Sequence, residues 1–200
     1  MTTLLKIFLP IYLLLFFGLA IFWRSYLAWR RTGVNPYKLG NSDTVHDFVG
    51  KLFRLTMIAS AVIVFMFSFL EGFYEFLVPI SWMSSTFLTI IGIALLVVAL
   101  LCVLVAQIQM GESWRIGIDE KSKSPLVQNG LFGVSRNPIF LGMLIMLIGM
   151  LLILPTAATL VITVLGFVLI HVQVRLEEAF LLEKHGEEYR RYQTRVRRWM

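Results

Sequence analysis

Residues 137–174 read NPIFLGMLIMLIGMLLILPTAATLVITVLGFVLIHVQV, without one Asp, Glu, Lys or Arg. As a single straight helix this stretch would run ~57 Å at ~1.5 Å per residue. A bilayer core is only ~30 Å thick. The stretch must therefore fold back, and Leu154-Pro155-Thr156 near its middle is the expected break, because proline removes a helix donor and clashes with the preceding turn. Two membrane helices, about 138–154 and 156–174, then form a hairpin with both outer ends on one membrane face. At one end stands Ser135-Arg136-Asn137-Pro138-Ile139-Phe140, at the other Arg175-Leu176-Glu177-Glu178. The hairpin is expected to bring Arg136 and Asn137 to Glu177 and Glu178, and that meeting point is the candidate active site.

Working outward, the rest of the chain has the same character. It is 58% hydrophobic and only 15% charged, against about 25% charged in an ordinary soluble domain. The expected fold is all-α: one integral membrane domain, 1–200, with about five transmembrane helices. Residues 1–109 hold spans one to three (about Leu4–Trp23, Leu52–Phe73 and Trp82–Gln109). Residues 110–137 form a connection, 138–174 the hairpin and 175–200 a tail. The first apolar stretch, from Ile7, ends in Trp23-Arg24-Ser25-Tyr26 without a small-residue cleavage site, so it is read as a span and not a signal peptide. Cys102 sits in an apolar run, has no cysteine partner in the chain, and is read as a small buried hydrophobe.

The net charge of +6 is informative through its placement. All eighteen Lys and Arg except Lys6 fall in three groups: 24–54, 115–136 and the tail from Arg175. Five spans put all three groups on one side, which the positive-inside rule makes cytoplasmic. The N-terminus is expected outside and the C-terminus in the cytoplasm, at the plasma (inner) membrane if the source is bacterial. This distribution accounts for the basic residues without a nucleic-acid partner.

The connections carry local signals. Gly33-Val34-Asn35-Pro36 and Gly40-Asn41-Ser42-Asp43 read as turns, with Ser42 or Asp43 expected to cap a short surface helix leading into Phe48 and Leu52. His46 and Asp47 lack the further ligands a metal site needs. Glu71 and Glu75 belong to the outer face, Tyr74 and Trp82 to interface anchors, and Gly92 to a close helix contact. Gly117 to Leu131 suggests a turn or hairpin, and no phosphate-cradling glycine loop occurs. Asn137 is placed to cap the helix opened by Pro138. The tail reads as an amphipathic helix interrupted at Gly186, with Phe180, Leu181, Tyr189, Tyr192, Val196 and Trp199 on its apolar face. Its basic end suits an anionic leaflet.

Five motifs carry a resemblance: Gly111-Glu112-Ser113-Trp114; Leu126 to Phe132; Ser135 to Gly142; Glu177-Glu178; and Gly186 to Tyr192 with Val196-Arg197-Arg198-Trp199. In this order and spacing they resemble the isoprenylcysteine carboxyl methyltransferase family, which is related to the membrane phospholipid N-methyltransferases. The resemblance covers the last half of the chain. It implies an enzyme using S-adenosyl-L-methionine, held at the cytoplasmic mouth, and a lipophilic small-molecule or lipid-anchored acceptor arriving from the bilayer lipids. The cofactor-binding set it implies is Arg136, Asn137, Pro138, Phe140, Leu141, Gly142, Glu177 and Glu178, with Trp114 and Gly130 in support. Asn137 and Arg175 are the catalytic candidates. Asn137 stands where many members carry His, and Asn is no base near neutral pH. Gln173 stands where members carry Arg, leaving nearby Arg175 to grip a substrate carboxylate.

The chemistry allows O-, N- or S-methylation. Two readings from other classes compete with it. Sterol reductases look similar at their C-terminal ends, which makes an NADPH-dependent membrane reductase the second. A non-enzymatic membrane protein retaining the fold is the third. Plainer readings stand beside the site residues as well: Arg136 as a snorkelling anchor, the paired glutamates as solvated helix surface, Tyr189 and Tyr192 as interface contacts, His171 as a local hydrogen-bonding group, and Met143, Met146 and Met150 as packing.

Overall fold

The computed structural model describes residues 2–33, 44–114 and 125–200. It is built of helices, and no strand occurs among the described residues. α1, Thr3–Arg31, is longer than the span read from the sequence. It passes through a π-helical section, Phe16–Trp23, before resuming as Arg24–Thr32. Leu5, Leu9, Tyr12, Phe16 and Ala20 line its buried face at helical spacing,. α2 is Val45–Phe69, with Thr44 accepting from the Asp47 N–H at its start. The expected separate surface helix is instead the first turns of α2, and Ser42 and Asp43 lie outside the described residues.

α3 is Thr86–Met110, capped by Ser85 on the Leu88 N–H. α4 is Pro138–Ile153 and α5 is Ala157–His185. The break between them falls where Pro155 requires it, and Thr156 caps α5 by accepting from the Thr159 N–H,. α5 does not end with the apolar run. It continues through Glu178 to Gly186, whose φ of +53 closes it, and α6 follows as Glu187–Arg195. The single interrupted tail helix of the sequence reading is thus the last third of α5, then α6, then a non-helical strap from Val196. Among the described residues, four helices are long and apolar enough to cross a membrane, and α4 is a shorter apolar fifth.

α3 and α4 form the tightest pair, running antiparallel. Gly142 meets Ala99 and Val103, while Gly149 meets Gly92 and Leu96. A Cβ on Gly92 would stand 2.8 Å from the Gly149 carbonyl oxygen. Small residues here let two backbones approach as side chains would not allow. The far end is closed by main-chain bonds between the α2–α3 and α4–α5 connections, from Ile80 N–H to Pro155 and from Ala157 N–H to Val78. Between α1, α2, α4 and α5 lies an almost wholly apolar cavity lined by Phe16, Phe53, Met143, Met146, Met150 and Ile170, among others. Of its lining residues, Met143 and Ile170 stand nearest in sequence to the polar motifs.

Candidate active site

The approach to α4 is fixed before the site begins. Gly130 has a φ of +64, and the Gln109 side chain occupies the space a Cβ would take, 2.3 Å from it. Gln109 accepts from the Leu131 N–H at 2.9 Å. The Tyr192 hydroxyl, from α6, donates to the Phe132 carbonyl at 2.6 Å. Ser135, Arg136 and Asn137 are thereby delivered to the last third of α5.

There Glu178 is the hub. It is 5% exposed and accepts five hydrogen bonds from three residues. Arg136 donates from Nε to Oε1 at 3.2 Å and from Nη2 to Oε2 at 3.4 Å. Asn137 Nδ2 donates to Oε1 at 3.0 Å. Arg198 donates to Oε2 from Nη2 at 2.8 Å and from Nε at 3.1 Å. The strap also contributes carbonyls. Arg136 N–H donates to Arg197, while Ser135 Oγ and Asn137 Nδ2 both donate to Arg198. The Arg136 Nη1 group reaches the Gln193 and Val196 carbonyls. A buried carboxylate is tolerable only with such pairing.

The structure therefore brings Arg136, Asn137 and Glu178 together, with side-chain contacts that a surface glutamate or a snorkelling arginine would not make. Asn137 occupies the N-cap position of α4 but makes no side-chain cap; its amide is spent on Glu178 and the strap. Glu177, the next residue along α5, is half-buried and has no hydrogen bond or ion pair among the described residues. Pro138 is fully buried. Gly142 serves helix packing, Phe140 packs on the core, and Leu141 is partly buried beside it. Arg175 is exposed and donates to the His171 carbonyl at 3.2 Å, so none of its hydrogen bonds joins it to the clamp. Tyr189 and Tyr192 are core residues and not interface contacts. Their phenols are shifted upward chiefly by burial, that of Tyr192 to about 12. The Arg198 guanidinium is held above its usual range by its hydrogen bonds to Glu178.

Sequence reasoning missed Arg198 and Ser135 as parts of this cluster. Both stand in motifs that carry the family resemblance, but no periodicity links them to Glu178. Trp114 proves to belong elsewhere. Arg24 is buried, donates to the Gln107 and Gly111 carbonyls, and lies 5.9 Å from the Trp114 ring. Gln107 Nε2 in turn donates to the Ala20 carbonyl at 2.9 Å in the π-helical section. This second cluster ties α1 to α3 at the same end of the bundle.

A family model described as phospholipid methyltransferase matches residues 87–188, which is half of the chain. The chain belongs to the phospholipid methyltransferase family. It is a membrane methyltransferase in that general sense. The matched segment holds α3, α4 and α5, with Arg136, Asn137, Glu177 and Glu178; the strap and Arg198 lie beyond it. Isoprenylcysteine carboxyl methyltransferases are related to this family, which is consistent with the resemblance read from the sequence. No curated protein matches the chain.

Proposed function

We propose that this member of the phospholipid methyltransferase family uses S-adenosyl-L-methionine, bound at the mouth between the start of α4 and the last third of α5, to methylate a lipophilic acceptor. The observation that carries the reading is the coincidence of two environments. A charged cluster with one unpaired carboxylate, Glu177, stands on α4 and α5, the same two helices whose Met143, Met146 and Ile170 line an apolar cavity in the bundle. The residues present fit the donor. Glu177 is free to accept from an ammonium or a ribose diol, and the first turn of α4 carries N–H groups without a side-chain cap, a suitable place for an anionic group.

When bound, the donor supplies an electrophilic methyl group on a sulfonium. The chain's own task is then orientation. Arg136, Asn137 and Arg198 fix Glu178 and with it the spacing of α4 and α5, so that Glu177 is presented from a rigid wall. The cavity takes the acceptor's hydrocarbon part, and its dry lining keeps water from the reacting atoms. Asn137 acts as a hydrogen-bonding group, with little general-base work. Methyl transfer to an anionic acceptor cancels charge, so no oxyanion site is required of the protein. The charge-rich end is read as cytoplasmic by its basic residues.

Titration of the purified protein with S-adenosylmethionine and, separately, with NADPH separates the readings. Saturable binding of the first alone supports the proposal. Binding of NADPH favours a reductase, and binding of neither favours a non-enzymatic protein. A labelled-methyl screen over lipid extracts then assigns the acceptor atom as oxygen, nitrogen or sulfur.

A further inference from the structure

We infer that the Arg24–Gln107 cluster between α1 and α3 is a second binding site, for a phosphate group of net charge −1 with a hydrogen-bond donor beside it, the chemistry of an anionic phospholipid headgroup. Neither α1 nor α3 contributes a residue to the clamp, so the site is independent of where the methyl donor binds.

Arg24 follows directly on the π-helical section of α1 and is 7% exposed. No carboxylate pairs with it among the described residues, and the charged neighbour acting on it is Arg31, of like sign. A buried cation demands compensation. Part of it comes from α3. The Nη2 group donates to the Gln107 and Gly111 carbonyls at the end of that helix, but a helix C-terminus carries only about half an elementary negative charge. The face of the Trp114 ring, 5.9 Å away, adds to it,. Neither uses Nε, which is buried and donates to no described group. Gln107 supplies the complement. Its Nε2 is spent on the Ala20 carbonyl, and its Oε1 is buried and accepts from no described group. The same guanidinium holds the Gln107 carbonyl, so the unused donor and the unused acceptor belong to one cluster. A cationic donor beside a neutral acceptor suits an anionic oxygen with an O–H next to it. A water molecule would meet the two atoms but not the charge.

Depth points to the source of that group. Trp23 and Tyr26 flank Arg24 on α1, are exposed, and hold their ring centroids 5.8 Å apart; exposed Trp29 continues the row. Exposed Trp and Tyr at the end of an apolar span mark the headgroup level of a bilayer. Arg30 and Arg31, also exposed, close the same helix and draw anionic lipid in preference to zwitterionic lipid. π-Helical sections recur at functional sites, and in this one the Ala20 carbonyl is turned to Gln107. A phosphodiester bearing hydroxyls, as in phosphatidylglycerol, has the charge and the donor that the cluster lacks.

The test reads the unfolding temperature of the full-length protein in detergent micelles doped with phosphatidylglycerol, with phosphatidylcholine of the same acyl chains, or with soluble sn-glycerol 3-phosphate. Wild type is expected to gain about 5 °C from saturating phosphatidylglycerol and little from phosphatidylcholine. Arg24→Gln is expected to lose that gain, and Arg30→Gln, on the exposed surface, to keep it. Arg24 also holds the end of α3, so the readout is the lipid-induced gain and not the starting temperature. If Arg24→Gln does not fold, Gln107→Glu carries the test: it supplies the counter-charge from the chain itself and is expected to remove the response to lipid. A gain reproduced by glycerol 3-phosphate in wild type and lost in Arg24→Gln upholds the site and assigns it to a soluble phosphate. Equal gains from the two lipids in wild type overturn the inference. So does a phosphatidylglycerol gain that survives Arg24→Gln or Gln107→Glu, and so does its loss in Arg30→Gln, which would make the effect diffuse surface attraction.

Discussion

Glu178 and Glu177 are neighbours with the same side chain and opposite circumstances. Glu178 is buried and shared among Arg136, Asn137 and Arg198. Replacing it by Ala strands the nearly buried Arg136 guanidinium, and breaking a buried pair in this way costs about 3–5 kcal/mol. Glu178→Ala is therefore expected to lower the unfolding temperature sharply in detergent, and an unchanged transition would refute the hub role. Val78 offers the reverse case. It is an exposed β-branched residue at φ +57, where a left-handed backbone costs roughly 1–2 kcal/mol. Val78→Gly is expected to stabilise the protein by about 1 kcal/mol once glycine's greater unfolded freedom is set against the relief. Thermal unfolding in the same detergent checks it.

At the scale of elements, α4 is the short member. Its 16 residues span ~24 Å, some 6 Å less than a ~30 Å bilayer core,. Its partner α5 has 29 residues and ~44 Å,. The start of α4 accordingly meets α5 at Glu178, within the longer helix and short of its end at His185. The pair α3–α4 holds this arrangement through its glycines. Gly92→Ala would push a methyl to 2.8 Å from the Gly149 carbonyl oxygen, and overpacking of this kind costs about 1–3 kcal/mol. A lowered unfolding temperature is expected for Gly92→Ala; Gly18→Ala, with open space at its Cβ, is the control that should show little change.

The hairpin was legible because a charge-free run too long for one span contains a proline near its middle. The course of α5 beyond Val174 was not, because a change from apolar to charged residues looks the same in sequence whether a helix ends there or continues out of the membrane. Leu176, Glu177, Glu178, Ala179, Leu181 and Leu182 are all good helix formers, and the helix stops only where Gly186 turns it. Arg24 was misplaced for a similar reason: counting charges by side assigns every arginine to water, whereas the π-helical section and Gln107 give this one a buried seat. The clamp's membership was half legible. Arg136, Asn137 and Glu178 follow from folding the hairpin shut, but the strap's return from Arg195 depends on carbonyl partners that no sequence pattern announces.

For the whole molecule, the five apolar helices among the described residues place Arg24, Arg30, Arg31, Lys51 and Arg54, the start of α4 and the tail at one end of the bundle. With that end in the cytoplasm, a cysteine introduced at Thr194 in a Cys102→Ala background is expected to resist impermeant labelling of intact cells, and one at Ser84 to be labelled. The opposite pattern would invert the topology. The central claim, that the donor binds at the clamp through Glu177, is tested most directly by calorimetric titration of S-adenosylhomocysteine into wild type and Glu177→Gln in detergent. Burial and the neighbouring Glu178 push the Glu177 carboxyl up to about 7, so the variant loses an unfavourable charge and is expected to unfold at or above the wild-type temperature while its affinity falls at least about tenfold. Equal affinities in the two proteins would contradict the account.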